Sequence, residues 1–215
     1  MPCHERPGGR LALVQPPPRA VPDHRRHVAR CLPELCLRGV GSHRADVRME
    51  PEDAELMYQG TLDFVSFSYY RSTVVSAKDP DWHLLGGTPN PLCVEKTPWG
   101  WAVDPLGLYY CLNELYDRYQ KPLFVAENGI DAIDQVSDDG VVHDDYRCDY
   151  PAKHLHVIRD AICLDHVPCI GYTMWGNVDL VSRSTGEMVK RYGFVCADMD
   201  NKGDGILKRS RKDSF

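Results

Sequence analysis

The sequence predicts the α/β fold class, built from parallel βα units. Three apolar segments are expected to form strands, at residues 61–70, 121–127 and 167–175, and a helical segment separates each neighbouring pair. Strands and helices in this alternation are typical of a parallel sheet with right-handed crossovers. A chain of 215 residues, 43% hydrophobic and 26% charged, is ordinary for a soluble protein of one or two domains.

A short acidic helix precedes the first strand. It begins near Glu50, where acidic residues complement the helix dipole, and Gly60 ends it. The strand that follows, "TLDFVSFSYY", has apolar residues on both alternating faces, namely Leu62, Phe64, Val65 and Phe67. Such a strand is expected to be buried on two sides in a parallel sheet. A loop rich in Gly, Pro and Asn is predicted from Ser76 to Thr97.

Two amphipathic helices connect the strands. In "LGLYYCLNELYDRYQ", helical spacing places one stripe on a single face, made of Leu108, Cys111, Leu112, Leu115 and Tyr119. In "DYPAKHLHVIRDAICLD", a second stripe contains Leu155, Ile158, Ala161 and Ile162. The strand "KPLFVAE" lies between the helices and "VPCIGYTMW" follows them. Both helices are therefore expected to pack their apolar faces against the sheet.

The composition changes near Met49. Residues 1–48 hold nine arginines, no lysine and four acidic residues, a charge of +5, so the remainder carries −11 of the total of −6. We therefore predict two parts: an Arg/Pro-rich leader at residues 1–48, disordered or foreign to the rest, and a domain at residues 49–215. A basic tail is the functional alternative for the leader. Out-of-frame translation is a further hypothesis, which peptides from residues 1–48 in the natural protein would contradict.

The net charge of −6 favours neither nucleic acid nor an anionic membrane as a partner. The sequence shows neither a bilayer-spanning apolar run nor a secretory signal, so a cytoplasmic location is expected.

The nine cysteines of the chain are scattered without a CxxC pair, which is typical of free thiols in a reducing compartment. A zinc site is the alternative for His24, His27, Cys31 and Cys36, but their spacing matches no zinc-ligand pattern. We expect no metal and no cofactor.

Candidate functional residues stand at the carboxyl ends of the predicted strands, where parallel α/β proteins place their sites. Glu127 ends the second strand in "FVAENG". Aromatic and polar residues close the other two strands: Ser68, Tyr69 and Tyr70 on the first, Met174 and Trp175 on the third. Aromatic faces beside a carboxylate suit a carbohydrate ring. The alternative for Glu127 is a solvated carboxylate or the cap of a turn at Asn128-Gly129.

Six ordered segments of the sequence carry a family resemblance: "DFVSFSYY", "TPWGWAVDPLGL", "FVAENG", "HDDYRCDY", "GYTMWGNVDLVS" and "STGEMVKRYGF". From about Met49 to Phe215 the chain resembles glycoside hydrolase family 1, in its bacterial 6-phospho-β-glucosidase branch. The resemblance implies a (β/α)8 TIM barrel. The three predicted strands match its sixth, seventh and eighth, so the expected fold is a partial barrel covering about the last three strands.

The resemblance also implies roles for residues at the strand ends. Glu127 matches the family's nucleophile, which attacks the anomeric carbon and forms a covalent glycosyl-enzyme. Tyr70 matches the tyrosine that hydrogen-bonds this nucleophile, and Trp175 matches the tryptophan under the sugar ring. Ser68 stands where many relatives have Asn, which is a departure from the family pattern.

Three further residues match the family's phosphate ligands: Ser182, Lys190 and Tyr192. A hydroxyl, an ammonium and a phenol are all donors to a dianion. Family members that act on unphosphorylated sugars carry Glu at the position of Ser182, so the expected substrate is a 6-phospho-β-glucoside. The alternative function is that of a plain β-glucosidase. The structural alternative is that Lys190 and Arg191 are an exposed charge pair and Ser182 is an ordinary loop residue.

The second carboxylic acid of a retaining mechanism has no counterpart in the matched region. The resemblance places it at the end of the fourth barrel strand, upstream of the matched region. Asn113-Glu114 has the same two residues as the family's acid/base motif. The pair lies in a predicted helix, however, where Glu114 is expected to face solvent. We therefore assign no acid/base residue, and an inactive truncated product remains the second functional hypothesis. A partial barrel is also expected to expose unpaired strand edges and to be unstable or dependent on a partner.

Overall fold

The computed structural model describes residues 50–74, 88–93 and 95–215. The chain divides between Leu62 and Asp63 into two compact units. The described part of the first unit contains helix α1 (Asp53–Gln59), which ends at Gly60 as predicted. The predicted leader, with its zinc alternative, lies outside the described residues, as does most of the predicted loop. No described helix is both long enough and apolar enough to cross a membrane.

The second unit is built around a parallel three-stranded sheet. Its strands are β1 (Val65–Ser68), β4 (Leu123–Asn128) and β5 (Cys169–Met174), in the order β1-β4-β5. Val65 pairs with Leu123 at the start of the sheet, and β5 runs parallel to β4 on the other side. The three predicted strands and their parallel arrangement are confirmed. Within the described residues β1 and β5 each pair only with β4 in this sheet, which leaves their outer edges without a strand there.

Two helices pack against each other and cover one face of the sheet: α2 (Pro105–Tyr119) and α3 (Asp145–Asp165). Asp104 caps α2, Pro105 occupies its first turn, and Gln120 ends it in the left-handed conformation. A single buried cluster joins the helices to the sheet, made of Tyr69, Leu108, Leu112, Leu123, Val125, Ile158, Ala161 and Val167. The hydrophobic effect therefore fixes β4 at the centre of the unit.

Some predicted core positions were wrong. Leu62 and Phe64 are exposed because β1 begins only at Val65. Ile158 and Ala161 of the predicted α3 stripe are buried, but Leu155 and Ile162 are exposed. The buried face of the helix is made of Arg147, Tyr150, His154, Ile158 and Ala161. This helix begins at Asp145, four residues before the predicted start, and continues through Pro151.

Two short antiparallel pairs were not predicted. One joins β2 (Thr73–Val74) to β3 (Thr88–Pro89), and the other joins β6 (Val195–Ala197) to β7 (Arg209–Arg211). Both lie outside the parallel sheet. Strands of two or three residues carry too few positions for an alternating pattern to be visible in a sequence.

Candidate active site

Glu127 is the penultimate residue of the central strand β4. The pairing register shifts between Phe67 and Ser68, which brings Ser68 opposite Glu127. The carbonyl oxygen of Glu127 accepts a hydrogen bond from the amide of Tyr69 at 2.8 Å. Irregular pairing of this kind redirects side chains at the ends of strands. The ends of β1 and β4 therefore meet at Glu127.

Two hydroxyl groups bind the same oxygen of the Glu127 carboxylate. Ser68 Oγ donates to Oε2 at 3.1 Å, and the Tyr70 hydroxyl donates to Oε2 at 3.0 Å. Burial raises the pKa of Tyr70, and the hydrogen bond to Glu127 raises it further. Tyr70 is therefore a proton donor to the carboxylate at any ordinary pH. Ser68, the departure from the family pattern, supplies a hydroxyl to the same oxygen.

Asn128 does not form a turn, and its side chain hydrogen-bonds to residues from three other parts of the fold. It is fully buried and still belongs to β4. Its amide nitrogen donates to the Tyr69 carbonyl at 2.6 Å and to the Tyr150 hydroxyl at 3.1 Å, while its amide oxygen accepts from the Tyr172 hydroxyl at 2.6 Å. Sequence reasoning missed this role. An amide at a strand end also fits a turn, and only the packed structure shows its three partners.

Trp175 follows directly after β5, beside the end of β4. Its backbone amide donates to the carbonyl oxygen of Asn128 at 2.7 Å, and its side chain is half-buried. The chain thus places Trp175 next to the strand end that carries Glu127. Glu114, by contrast, lies within α2 and is exposed, as predicted.

The three residues predicted to bind phosphate are buried. Ser182 and Lys190 are each 1% exposed, and Tyr192 is 7% exposed. Ser182 Oγ lies 3.2 Å from the Tyr192 hydroxyl, and Lys190 Nζ lies 3.2 Å from Asp131 Oδ2. The alternative of an exposed charge pair is wrong, because Lys190 is enclosed and the guanidinium of Arg191 donates to backbone carbonyls at 2.6 and 2.9 Å.

Two tryptophans lie beside this buried lysine, and one of them, Trp101, connects it to the nucleophile candidate. Lys190 Nζ lies 5.0 Å from the ring centre of Trp99, 4.5 Å from that of Trp101 and 5.9 Å from that of Tyr192. The Trp101 ring also meets the Tyr70 ring edge-on, with 5.8 Å between the ring centres. Ammonium groups are attracted to aromatic faces at these distances. Trp101 therefore touches both the Lys190 cluster and the residue that holds Glu127.

Sequence reasoning did not single out Trp99, Trp101 or Asp131. The two tryptophans stand two residues apart in "PWGW", a visible signal for a shared site. Asp131 offered no such signal, since an aspartate four residues after Glu127 in a polar segment is ordinary at a loop. Its burial depends on contacts that are distant along the chain.

Comparisons with known proteins show which family the chain matches. The model of glycosyl hydrolase family 1 matches residues 31–215. Over 189 residues the chain is 47% identical to aryl-phospho-beta-D-glucosidase BglH of Bacillus subtilis, covering 85% of this chain and 40% of that protein. It is 51% identical over 160 residues to a phospho-cellobiase of Klebsiella oxytoca, covering 72% and 34%. This chain thus spans about two fifths or less of the length of these curated relatives.

Solved structures show the same relationship. A family 1 β-glucosidase from Thermotoga maritima superposes with a TM-score of 0.64 at 32% identity, covering 85% of this chain and 38% of that one. That enzyme family forms the TIM barrel, and the parallel βα units described above correspond to part of it. The match of the family model, together with these relatives, shows that the chain belongs to glycosyl hydrolase family 1.

Proposed function

We propose that the chain is a retaining β-glycosidase of carbohydrate metabolism that hydrolyses 6-phospho-β-glucosides, with Glu127 as its nucleophile. One observation carries the proposal: two hydroxyls, from Ser68 and Tyr70, hold one oxygen of Glu127 at the carboxyl end of the central parallel strand. A carboxylate fixed in this way has a defined orientation for attack. Parallel α/β barrels place catalytic groups at this end of their strands.

The proposed reaction begins when a Glu127 oxygen attacks the anomeric carbon. The bond from that carbon to the leaving oxygen breaks, and a covalent glycosyl-enzyme forms. Water then cleaves the new ester bond, which restores the original configuration. Tyr70 orients the carboxylate and Trp175 lies under the sugar ring. A second carboxylic acid is needed to protonate poor leaving groups, and we assign none in the described part of the chain because Glu114 is exposed on a helix.

We assign the 6-phosphate to Ser182, Lys190 and Tyr192. Two hydroxyls 3.2 Å apart and a nearby ammonium are suitable donors to a dianion. The relatives named as phospho-β-glucosidases and phospho-cellobiase support this substrate class. A plain β-glucosidase is the second candidate, and the pairing of Lys190 with Asp131 favours it, because that ammonium already has a counter-ion.

Three further assignments concern the location, the domains and the partners of the protein. A sugar phosphate is strongly charged and does not cross a bilayer, so we place the protein in the cytoplasm, where such substrates are made. We retain the division into a leader at residues 1–48 and a barrel segment at residues 49–215, although the family model matches from residue 31. The net charge of −6 favours neither nucleic acid nor anionic membranes as partners.

Hydrolysis of two matched substrates tests the function. A 2,4-dinitrophenyl leaving group departs without protonation, so its release in the first step needs no acid residue. We expect the chain to release dinitrophenol from the 6-phospho-β-glucoside faster than from the plain β-glucoside. Glu127→Gln is expected to reduce release by about 10³-fold or more, on the scale of removing one member of a catalytic unit. Equal release by the wild type and Glu127→Gln would contradict the proposal, and faster release from the plain glucoside would favour the second candidate.

A further inference from the structure

Lys190 and Asp131 form an ion pair that is buried on both sides. Lys190 Nζ lies 3.2 Å from Asp131 Oδ2, and the two side chains are 1% and 0% exposed. Charges removed from water in this way interact more strongly than at a surface. Asp131 therefore directly compensates the positive charge of Lys190.

The carboxylate of Asp131 has few other partners. Within the described part of the chain, neither of its oxygens takes part in a hydrogen bond. A buried carboxylate without donors is costly unless a counter-charge compensates it. Lys190 supplies that counter-charge, so the two residues act as one neutral unit.

Aromatic rings enclose the ammonium on its other sides. Trp99, Trp101 and Tyr192 all place their ring centres within 5.9 Å of Lys190 Nζ. The rings attract the ammonium, but they bring no net charge. The formal charge of Lys190, Asp131 and these three rings taken together is therefore zero.

We propose that Asp131 is a specificity-determining residue that limits the preference of the site for phosphorylated sugars. This inference rests on the proposed assignment of Lys190 to the 6-phosphate. An incoming phosphate meets a lysine that already has a counter-ion, and Asp131 repels the dianion. Asp131 lies only four residues after Glu127. One short segment therefore contains both the proposed nucleophile and the carboxylate that compensates the charge of Lys190.

Calorimetric binding of glucose 6-phosphate and of glucose to the full chain tests the proposal. The titrations are made at pH 7.5, where a phosphate monoester is mostly a dianion. Asp131→Asn keeps the shape of the side chain and removes its charge. We expect this variant to bind glucose 6-phosphate about tenfold more tightly than the wild type, because a like charge near the ligand is lost. Binding of glucose is expected to stay unchanged.

The controls separate the inference from the proposed function. Asp138→Asn removes the same charge at an exposed loop position and is expected to leave both affinities unchanged. Lys190→Met is expected to abolish the preference for glucose 6-phosphate. Weaker or equal binding of glucose 6-phosphate by Asp131→Asn, with a wild type that still prefers it to glucose, would overturn the inference alone. No preference in any form of the chain would overturn the phosphate assignment and the inference together.

A comparison of ligands on the wild type covers the case in which Asp131→Asn does not fold. Glucose 6-sulfate carries one negative charge where glucose 6-phosphate carries nearly two. A site of zero net charge gains little from the extra charge, so we expect the two affinities to agree within about threefold. A preference of tenfold or more for the phosphate would indicate an uncompensated lysine and would overturn the inference.

Discussion

Tyr70 connects the two halves of the site. Its hydroxyl donates to Glu127 at 3.0 Å, and its ring meets Trp101, which in turn faces the Lys190 ammonium. Because burial and the Glu127 hydrogen bond both raise its pKa, Tyr70 keeps its proton. A change at Tyr70 is therefore expected to alter the orientation of the Glu127 carboxylate without removing a charge.

Tyr70→Phe tests this role. The substitution keeps the ring contact and removes one hydrogen bond to a charged group, an interaction of about 1.5–3 kcal/mol. We expect dinitrophenol release to fall by about 10- to 100-fold, with the melting temperature of the protein little changed. Tyr110→Phe is the control, because Tyr110 is 65% exposed on α2. Equal rates in the two variants would show that the hydroxyl of Tyr70 does not hold the nucleophile.

The residues of the site differ in how far a sequence reveals them. Glu127 and Tyr70 lie at the ends of two predicted apolar strands, so parallel pairing of these strands is enough to bring them together. Lys190 was matched by resemblance, but its burial was not predicted, because a lysine beside an arginine usually lies in solvent. Asp131 and Asn128 look like loop and turn residues, and their roles arise only from long-range packing.

At the scale of elements, the start of α2 depends on Asp104. Its carboxylate accepts hydrogen bonds from Ser72 Oγ and from the amide of Gly107, the latter at 3.0 Å. Burial alone would raise the pKa of Asp104, but these hydrogen bonds outweigh it and hold the pKa below its usual value. The charged carboxylate therefore stabilises the folded state above a pH of about 3.9, the ordinary value for Asp.

Asp104→Ala measures this contribution. We expect a loss of about 1–2 kcal/mol in the free energy of unfolding at pH 7, the usual cost of removing a helix cap. The loss is expected to shrink as the pH falls below about 3.9, because the unfolded wild type then binds a proton at Asp104 while the folded state still carries the charge. Urea denaturation at pH 7 and pH 3 measures both values, with exposed Asp63→Ala as control. A loss that does not depend on pH would contradict the ionised cap.

The elements themselves were predicted well where their patterns were long. α2 and the three parallel strands are visible as periodic apolar segments, because each contributes several residues to one core. Two of the four positions predicted for the α3 stripe were wrong, since Leu155 and Ile162 are apolar but exposed. Apolar residues on a surface are common, so periodicity alone does not identify the buried face.

At the scale of the molecule, buried ion pairs join the C-terminal segment to the rest of its unit. Lys212 is 3% exposed and donates to Asp134 and, at 2.8 Å, to Asp179. Arg147 of α3 binds the same Asp134 at 2.9 Å. Three distant parts of the chain thus share one ion network. The burial of Lys212 was not predicted from the sequence, because runs of Lys and Arg are usually solvated.

Lys212→Met tests whether this network holds the molecule together. The substitution leaves two buried carboxylates without their shared cation, while Asp134 keeps Arg147 and Asp179 keeps Arg191 at 3.6 Å. We therefore expect the free energy of unfolding to fall by about 2 kcal/mol, less than the cost of an unpaired buried charge. Urea denaturation measures the change, and Lys208→Met is the control because Lys208 is exposed. If both variants unfold at the wild-type midpoint, the network does not stabilise the fold.

The most direct measurement of the central claim is covalent trapping of the nucleophile. The full chain is incubated with 2,4-dinitrophenyl 2-deoxy-2-fluoro-6-phospho-β-glucoside, whose fluorine slows hydrolysis of the glycosyl-enzyme while its leaving group departs without acid assistance. Peptide mass spectrometry then locates the adduct, with Glu127→Gln as the control. We expect one phosphosugar per chain, on Glu127, and none in the control. An adduct on another residue, or no adduct in the wild type, would contradict the role of Glu127 as nucleophile.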